Sequence, residues 1–433
     1  MSSPPAPAHR VRSATEALAA VVTVPGSKSV TNRALICAAL ADGTSHLTGV
    51  APGDDTAALV DCIELLGIGV GDRGVADTAS LVVHGTGGQI RAHNVTLHTR
   101  LAGTTSRFVT ALAALGTGRV TIDGSGPLRS RPMAPLHDAL VALGATVEPA
   151  EQWGHLPVSV RGPLSTTTST AVQVRGDVSS QYLTALMLIG PYIAGGLTLE
   201  LTSTLVSRSY LGITAAVMAA FGVTEVEVGE HRVVVGEGRY RPTTYAIEPD
   251  ASSAGYPLAA AAIVGGTVHV PGLTSSSLQG DSRFSAVLGE MGCDVVVNDR
   301  GTTVTREGPL RGIDIDMADL SDLVPTLAVV APFAHTPTRV TGVGFIRHKE
   351  SDRLGDLSHE LRAAGISAAD FADGIVVEPG MPRATNFATH HDHRLAMAFG
   401  LLGLVVDGVL IDDPDVVSKS WPDYWTMLDG LVR

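Results

Sequence analysis

The chain is poor in lysine. Of its 30 Lys and Arg residues, only Lys28, Lys349 and Lys419 are lysines. Drift toward arginine could leave such survivors anywhere, but all three lie in polar clusters next to apolar segments. Lysine offers what arginine lacks: a compact charge, three rotatable donors and a pKa that burial can move. Both readings are open, compositional remnant or retained chemistry.

Aromatic residues make up 4% of the sequence, so the core must rest on Ala, Val, Leu and Ile. There are three cysteines, Cys37, Cys62 and Cys293, without metal-type spacing and unable all to pair. That usage fits a reducing compartment. No run of 18 apolar residues occurs, which excludes a simple membrane-spanning helix. The opening MSSPPAPAHRVRSATEALA has no apolar signal region and reads as a short disordered tail. These features together point to a cytoplasmic protein. A surplus of positive charge is missing too. The net charge of −13 argues against a broad basic surface for nucleic acid. It leaves room for an anionic small substrate, because a few cations focused at one place dominate locally.

Several chemical signatures are also missing. There is no GxxxxGK[ST] phosphate loop, no GxSxG, no HExxH and no CxxC, and GVGFIR does not open a dinucleotide-binding pattern. THHDHRLAMAFG gathers His390, His391, Asp392, His393 and Arg394. Adjacent histidines on a strand would point to opposite faces, so no metal is expected there. Arg394 is the residue expected to reach a site, with the histidines positioning or capping.

What the sequence does hold is a repeat. One segment type is an amphipathic helix, then Gly, then a strand-like run: ALVDCIELLGIGV, PLHDALVALGATV, ITAAVMAAFGVTEV, FSAVLGEMGCDVVV and DLSHELRAAGISA. A second type alternates with it, a polar knot followed by an Ala/Leu-rich helix. Lys28, Thr104, Ser179, Ser252, Ser321 and Asp392 mark six such knots, separated by 76, 75, 73, 69 and 71 residues. Helices of the second type are apolar nearly all round and should be buried. Runs such as VTIDG, LTLEL, RVVVG, TVHVPG, IVVEPG and VLIDDP supply strands. Six units of two helices and several strands make two domains of three, with the break near residues 239–249. A Ser, Thr or Asp before an apolar helix is ordinarily just a cap. Six in register could also offer several positive helix ends to one polyanion. In IRHKESDRL, Arg347, Lys349, Glu350, Asp352 and Arg353 crowd a helix start, which is either a solvated face or a site that binds anions and moves protons.

VPGSKSVTNRALICAALA, LAGTTSRF, GSGPLRSRPM, GDVSSQYLTALM, SRSYLGIT, EPDASSAGY, LSDLVPTLA, IRHKESDRL, HDHRLAMAF and VVSKSWPDY occur in the order and spacing of one family. Over nearly its whole length the chain resembles the EPSP synthases, the 3-phosphoshikimate 1-carboxyvinyltransferases, which are enolpyruvyl transferases. The resemblance implies an α/β fold of six βαβαββ units, three per domain, as an inside-out α/β barrel. The expected domains are 24–244 and 1–23 plus 245–433, with the active site in the cleft between them and the N-terminal segment packed on the second. It implies joining the enolpyruvyl group of phosphoenolpyruvate to the 5-hydroxyl of shikimate 3-phosphate by addition and elimination. No cofactor, metal, nucleic acid or membrane is implied, and a monomer is expected.

Carried over by this resemblance, Ser29 and Arg33 would hold the shikimate carboxylate and Lys28 would touch both substrates. Ser179, Ser180 and Ser207 would cradle the 3-phosphate, with Gln181 and Tyr210 nearby and Lys349 on the same side. Gly103, Arg131, Arg353, Arg394 and Lys419 would surround phosphoenolpyruvate, within reach of Gln181 and Lys28. Asp322 would take the 5-hydroxyl proton and Glu350 would protonate the methylene carbon. Leu101, Phe108, Ser209 and Phe345 depart from the residues usual at their positions; Phe345 puts one acceptor hydrogen bond in doubt. Gly103 is unsubstituted, and sensitivity to the herbicide glyphosate follows as an expectation. A sister enzyme acting on UDP-N-acetylglucosamine uses a loop cysteine near the third knot, whereas residues 63–292 here hold no cysteine. A non-catalytic metabolite-binding relative would be expected to lose Asp322, Glu350 or the lysines, and all are present.

Overall fold

The computed structural model describes residues 7–71, 79–164 and 171–432. The chain forms two compact units, one of Gly26–Glu248 and one of Met1–Pro25 with Pro249–Arg433.

The Gly26–Glu248 unit has three helices at its centre, Lys28–Leu40, Gly103–Ala113 and Ser180–Ile189, packed on one another. Apart from one or two residues at their starts, these helices are buried along their length, as an all-round apolar surface requires. Three four-stranded sheets lie outside them and repeat one connection rule. In the second sheet Val95–His98 runs parallel to Val120–Asp123, which is antiparallel to Val158–Arg161, which is antiparallel to Thr146–Pro149. The third sheet, Ala171–Val174, Leu197–Leu201, Arg232–Val235 and Val226–Val228, does the same. In the first sheet the parallel lead strand is Thr244–Ala246, borrowed from the far end of the unit to pair with Asp42–Thr48. Strand burial alternates, as in Val120–Asp123, so one face meets the helices and the other meets solvent.

The second unit obeys the same rule. Its central helices, Ala251–Val264, Val324–Val330 and His393–Gly403, again pack on one another. Here too the lead strand of one sheet is borrowed: Leu18–Val21 runs parallel to Gly266–Pro271. Among the described residues the last sheet has three strands, and His9–Arg10 takes the antiparallel place beside Leu410–Ile411. Among the described residues, sheets outside central helices in both units match the α/β arrangement that the resemblance leads one to expect.

The five helix–Gly–strand segments end as their sequences suggest. Gly67, Gly144, Gly222, Gly292 and Gly365 have φ of 91°, 90°, 91°, 112° and 83°, where a side chain would be strained. Four of the six knots are side-chain caps: Ser27, Ser179, Asp250 and Asp392 accept backbone N–H groups at their helix starts. The helices from Gly103 and Val324 lack one.

One expectation fails. Within the opening stretch taken for a disordered tail, residues 9–10 form a strand, and a second strand, Leu18–Val21, begins in its last two residues. Val11 is 1% exposed and lies over Gly403, where an added Cβ would sit 2.4 Å from the valine Cβ. Its N–H also donates to the Val409 carbonyl at 3.2 Å. Burying such a side chain is worth roughly 1.5–3 kcal/mol, enough to order a segment without periodicity of its own. The first six residues of that tail lie outside the described ones.

Candidate active-site clusters

In the Gly26–Glu248 unit, Lys28 is the first residue of its helix, and Nζ lies 3.0 Å from Oδ2 of buried Asp55. Asp55 lies in the first turn of the Asp54–Leu65 helix, where a carboxylate is favoured by the helix dipole. One turn on, Arg33 is buried, and only neutral acceptors meet it. Its Nε donates to Thr214 Oγ1 at 2.8 Å, and its Nη groups to Ser29 O at 2.7 Å, Thr184 Oγ1 at 3.3 Å and Tyr210 O at 3.3 Å. Phe108 and Tyr210 each lie with ring centroids 5.8 Å from the guanidinium carbon. Burial depresses the Arg33 pKa to about 10, against the raising effects of Tyr210 and Cys37. Among the described residues no carboxylate balances it, so Arg33 is a desolvated cation held ready beside Ser29.

Gly103 sits at the start of the second central helix. A Cβ there would lie 2.6 Å from Arg131 Nη1 and 2.7 Å from Arg107 Nη1. Arg107 is itself fixed by Gly103 O at 2.7 Å, Pro132 O at 3.2 Å and the Tyr182 ring at 5.4 Å. The glycine therefore sets where Arg131 can lie. At the third knot, Gln181 Nε2 donates to Thr104 Oγ1 at 3.2 Å, which ties knots two and three together. Gln181 Oε1 and Ser207 Oγ are buried without a partner among the described residues. Ser207 also has φ of 53°, a conformation a non-glycine residue rarely takes and one that gathers at functional sites. Ser179 caps the Ser180–Ile189 helix, so its oxygen, the buried Ser180 and free helix N–H groups lie together.

The second unit holds the acid and base candidates. Arg353, 1% exposed, is the centre. It reaches Asp322 Oδ1 at 2.9 Å, Glu350 Oε2 at 2.8 Å, and Asp392 at 2.7 Å through Nε and 3.3 Å through Nη2. Asp322 also accepts from Arg394 Nη2 at 2.8 Å and faces Lys349 Nζ at 3.9 Å. Glu350 faces Lys419 Nζ at 3.9 Å. Burial alone would raise the Asp322 pKa, but Arg394, Lys349 and Arg353 together hold it well below the usual carboxylate range. Each of the three lysines thus stands opposite a carboxylate: Asp55, Asp322 or Glu350.

Local structure explains the placement. Asp352 caps the Arg353–Ala363 helix by accepting from Gly355 N. Arg347 clamps the segment, bonding Asp352 at 3.0 Å and Asp370 at 2.7 Å. Phe345 places its ring 5.7 Å from Lys349 Nζ, a cation–π contact at the position where the sequence had left a hydrogen bond in doubt. Asp392, not a histidine, caps its helix while holding Arg353. His390 and His391 are not on a strand but at φ of 51° and 57°, and they bond Glu360 at 2.9 Å and Asp413 at 3.3 Å. Sequence reasoning overlooked Asp55, although two aspartates after PG announce a helix start, and Asp281, which no periodicity marks.

The family model described as EPSP synthase (3-phosphoshikimate 1-carboxyvinyltransferase) matches residues 13–428. A 3-phosphoshikimate 1-carboxyvinyltransferase of Nostoc punctiforme is 42% identical over 415 residues, covering 96% of this chain and 96% of the relative. One from Methanosphaerula palustris is 42% identical over 409 residues, covering 94% and 95%. In fold, the chain matches an EPSP synthase of Acinetobacter baumannii with a TM-score of 0.81 at 24% identity, covering 98% of this chain and 97% of that one. It also matches the enolpyruvyl transferase NikO of Streptomyces tendae at 0.71 and 18%, covering 99% and 98%. With six repeats, both polar clusters and this breadth of likeness in agreement, the chain belongs to the EPSP synthase (3-phosphoshikimate 1-carboxyvinyltransferase) family.

Proposed function

We propose that this enzyme transfers the enolpyruvyl group of phosphoenolpyruvate to the 5-hydroxyl of shikimate 3-phosphate. Each cluster holds residues suited to part of this reaction. In the addition step the 5-oxygen bonds to C2 of phosphoenolpyruvate, the hydroxyl proton passes to Asp322 and Glu350 protonates C3. In the elimination step Glu350, now a carboxylate, takes a proton back from C3, and inorganic phosphate leaves with the proton that Asp322 had accepted. The observation that carries this reading is the Arg353 network, in which two carboxylates, Asp322 and Glu350, share one guanidinium yet face different cations. Asp322, surrounded by Arg353, Arg394 and Lys349, is ionised but weakly basic. An anionic donor drawing these cations onto its own oxygens would restore basicity when the hydroxyl arrives. Arg33 and Ser29 suit the acceptor carboxylate, and Ser179, Ser180 and Ser207 suit its phosphate, with Gln181 and Tyr210 alongside. Gly103, Arg131, Arg353, Arg394 and Lys419 suit the donor. Lys28, half-buried beside Asp55, touches both. The enzyme is proposed to be a cytoplasmic monomer; its three free, buried thiols suit a reducing compartment.

The test is phosphate release, which must require both substrates; no turnover by pure protein would overturn the reading. Lys28→Arg keeps the charge but cannot keep a compact ammonium 3.0 Å from Asp55, and turnover should fall about 10- to 100-fold. Near-normal turnover would return this lysine to a remnant of composition. Gly103→Ala forces Arg131 aside and should raise the KM for phosphoenolpyruvate about tenfold, with a smaller change in kcat. The wild-type enzyme should be inhibited by glyphosate and the Gly103→Ala enzyme much less; a wild type indifferent to millimolar inhibitor would refute that part.

A further inference from the structure

A second carboxyl lies close to Asp322 and takes no part in the steps above. Asp281 stands in the short turn Gly280–Arg283 and is 5% exposed. Its Oδ2 is hydrogen-bonded to Ser252 Oγ. Gln279 anchors the turn to the start of the Ala251–Val264 helix: Oε1 accepts from Ala251 N at 3.0 Å and Nε2 donates to Pro249 O at 2.7 Å. The groups that face Asp281 come from three elements. They are Ser252 and the cap Asp250 of that helix, Asp322 of the turn Ser321–Leu323, and Arg394 of the His393–Gly403 helix. Arg394 bonds Asp322, and among the described residues no cation lies within ion-pair distance of Asp281. A buried carboxyl without a counter-ion, next to an ionised one, is driven toward its neutral form. Burial first, then the charge of Asp322, raises its pKa to about 7 against the opposing pull of Ser252 and Arg394.

The charge balance gives this a consequence. Lys349, Arg353, Arg394 and Lys419 gather around Asp322, Glu350 and Asp392, and this cluster of cations is where an incoming anion would be held. Ionising Asp281 adds a negative charge beside that cluster. We infer that Asp281 is a positioning residue: un-ionised, it leaves Arg394 and its neighbours positive for the anionic donor, and its ionisation weakens donor binding. This rests on the assignment of Arg394 and Arg353 to phosphoenolpyruvate.

The sign follows directly. As pH rises through neutrality Asp281 loses its proton, and the KM for phosphoenolpyruvate should rise about tenfold between pH 6 and 8.5, with kcat changing less. Asp281→Asn cannot ionise and should flatten that rise under identical conditions, which subtracts the substrates' own titrations. Ser252→Ala removes a bond that favours the ionised form and should move the rise to higher pH. It also serves if the asparagine variant does not fold. Infrared difference spectra without substrate should show the carbonyl stretch of an un-ionised carboxylic acid at pH 6, absent in Asp281→Asn. The same KM profile in wild type and Asp281→Asn, an unmoved profile in Ser252→Ala, or no such band, would overturn the inference. The infrared result needs no turnover, so it is separable from any failure of the proposed reaction.

Discussion

Replacing Arg353 with Gln should cost both the fold and the reaction. The residue is 1% exposed and bonds three carboxylates at once. Asp392 is fully buried, so without the guanidinium its charge has no equal partner. Breaking a buried ion pair from one side costs about 3–5 kcal/mol, and here three such contacts go together. Urea unfolding should therefore show a loss of at least that size, and phosphate release should fall about a thousandfold. Arg353→Lys should rescue little. An ammonium is a point donor, whereas Asp322, Glu350 and Asp392 lie around a planar fork. If Arg353→Lys unfolds at the wild-type urea midpoint, the shared-fork account is wrong.

Asp322→Asn should lower kcat about 10³- to 10⁴-fold, the upper range for loss of a general base. The pattern matters as much as the size. The amide occupies the same space, but it no longer neutralises Arg353 and Arg394, whose nitrogens lie 2.9 and 2.8 Å from the carboxylate. Both guanidiniums then become freer for an anion, so the KM for phosphoenolpyruvate should stay level or fall. Loss of kcat with unchanged or tighter donor binding separates a base from a structural strut. A kcat near that of wild type would remove Asp322 from the chemistry.

Much of this was readable in the sequence, because the repeat imposes spacing. Apolar periodicity located the helices, and the glycines after five of them marked the left-handed turns at Gly67, Gly144, Gly222, Gly292 and Gly365. The scarcity of lysine pointed to Lys28, Lys349 and Lys419, each of which meets a carboxylate. What stayed hidden depends on distant partners. Residues 9–10 and 18–21 carry no strand pattern of their own; they extend because Leu410–Ile411 and Gly266–Pro271 offer unpaired edges. Asp55 and Asp281 look like ordinary loop acids until the fold brings them to Lys28 and Asp322. Arg33 looks like one arginine among many, and only burial among Thr184, Thr214 and Tyr210 sets it apart.

The two borrowed strands impose an order on synthesis. Gly26–Glu248 closes its first sheet with Thr244–Ala246, so all its parts exist once that segment has left the ribosome. His9–Arg10 and Leu18–Val21 are made long before the strands they join, Leu410–Ile411 and Gly266–Pro271. Leu18–Val21 must therefore wait until Gly266–Pro271 has been made, and His9–Arg10 until Leu410–Ile411 has been. The leading segment's docking over Gly403 becomes a seal that only a chain extending past that glycine can set, and a product stopping short of it would carry those edges open to degradation.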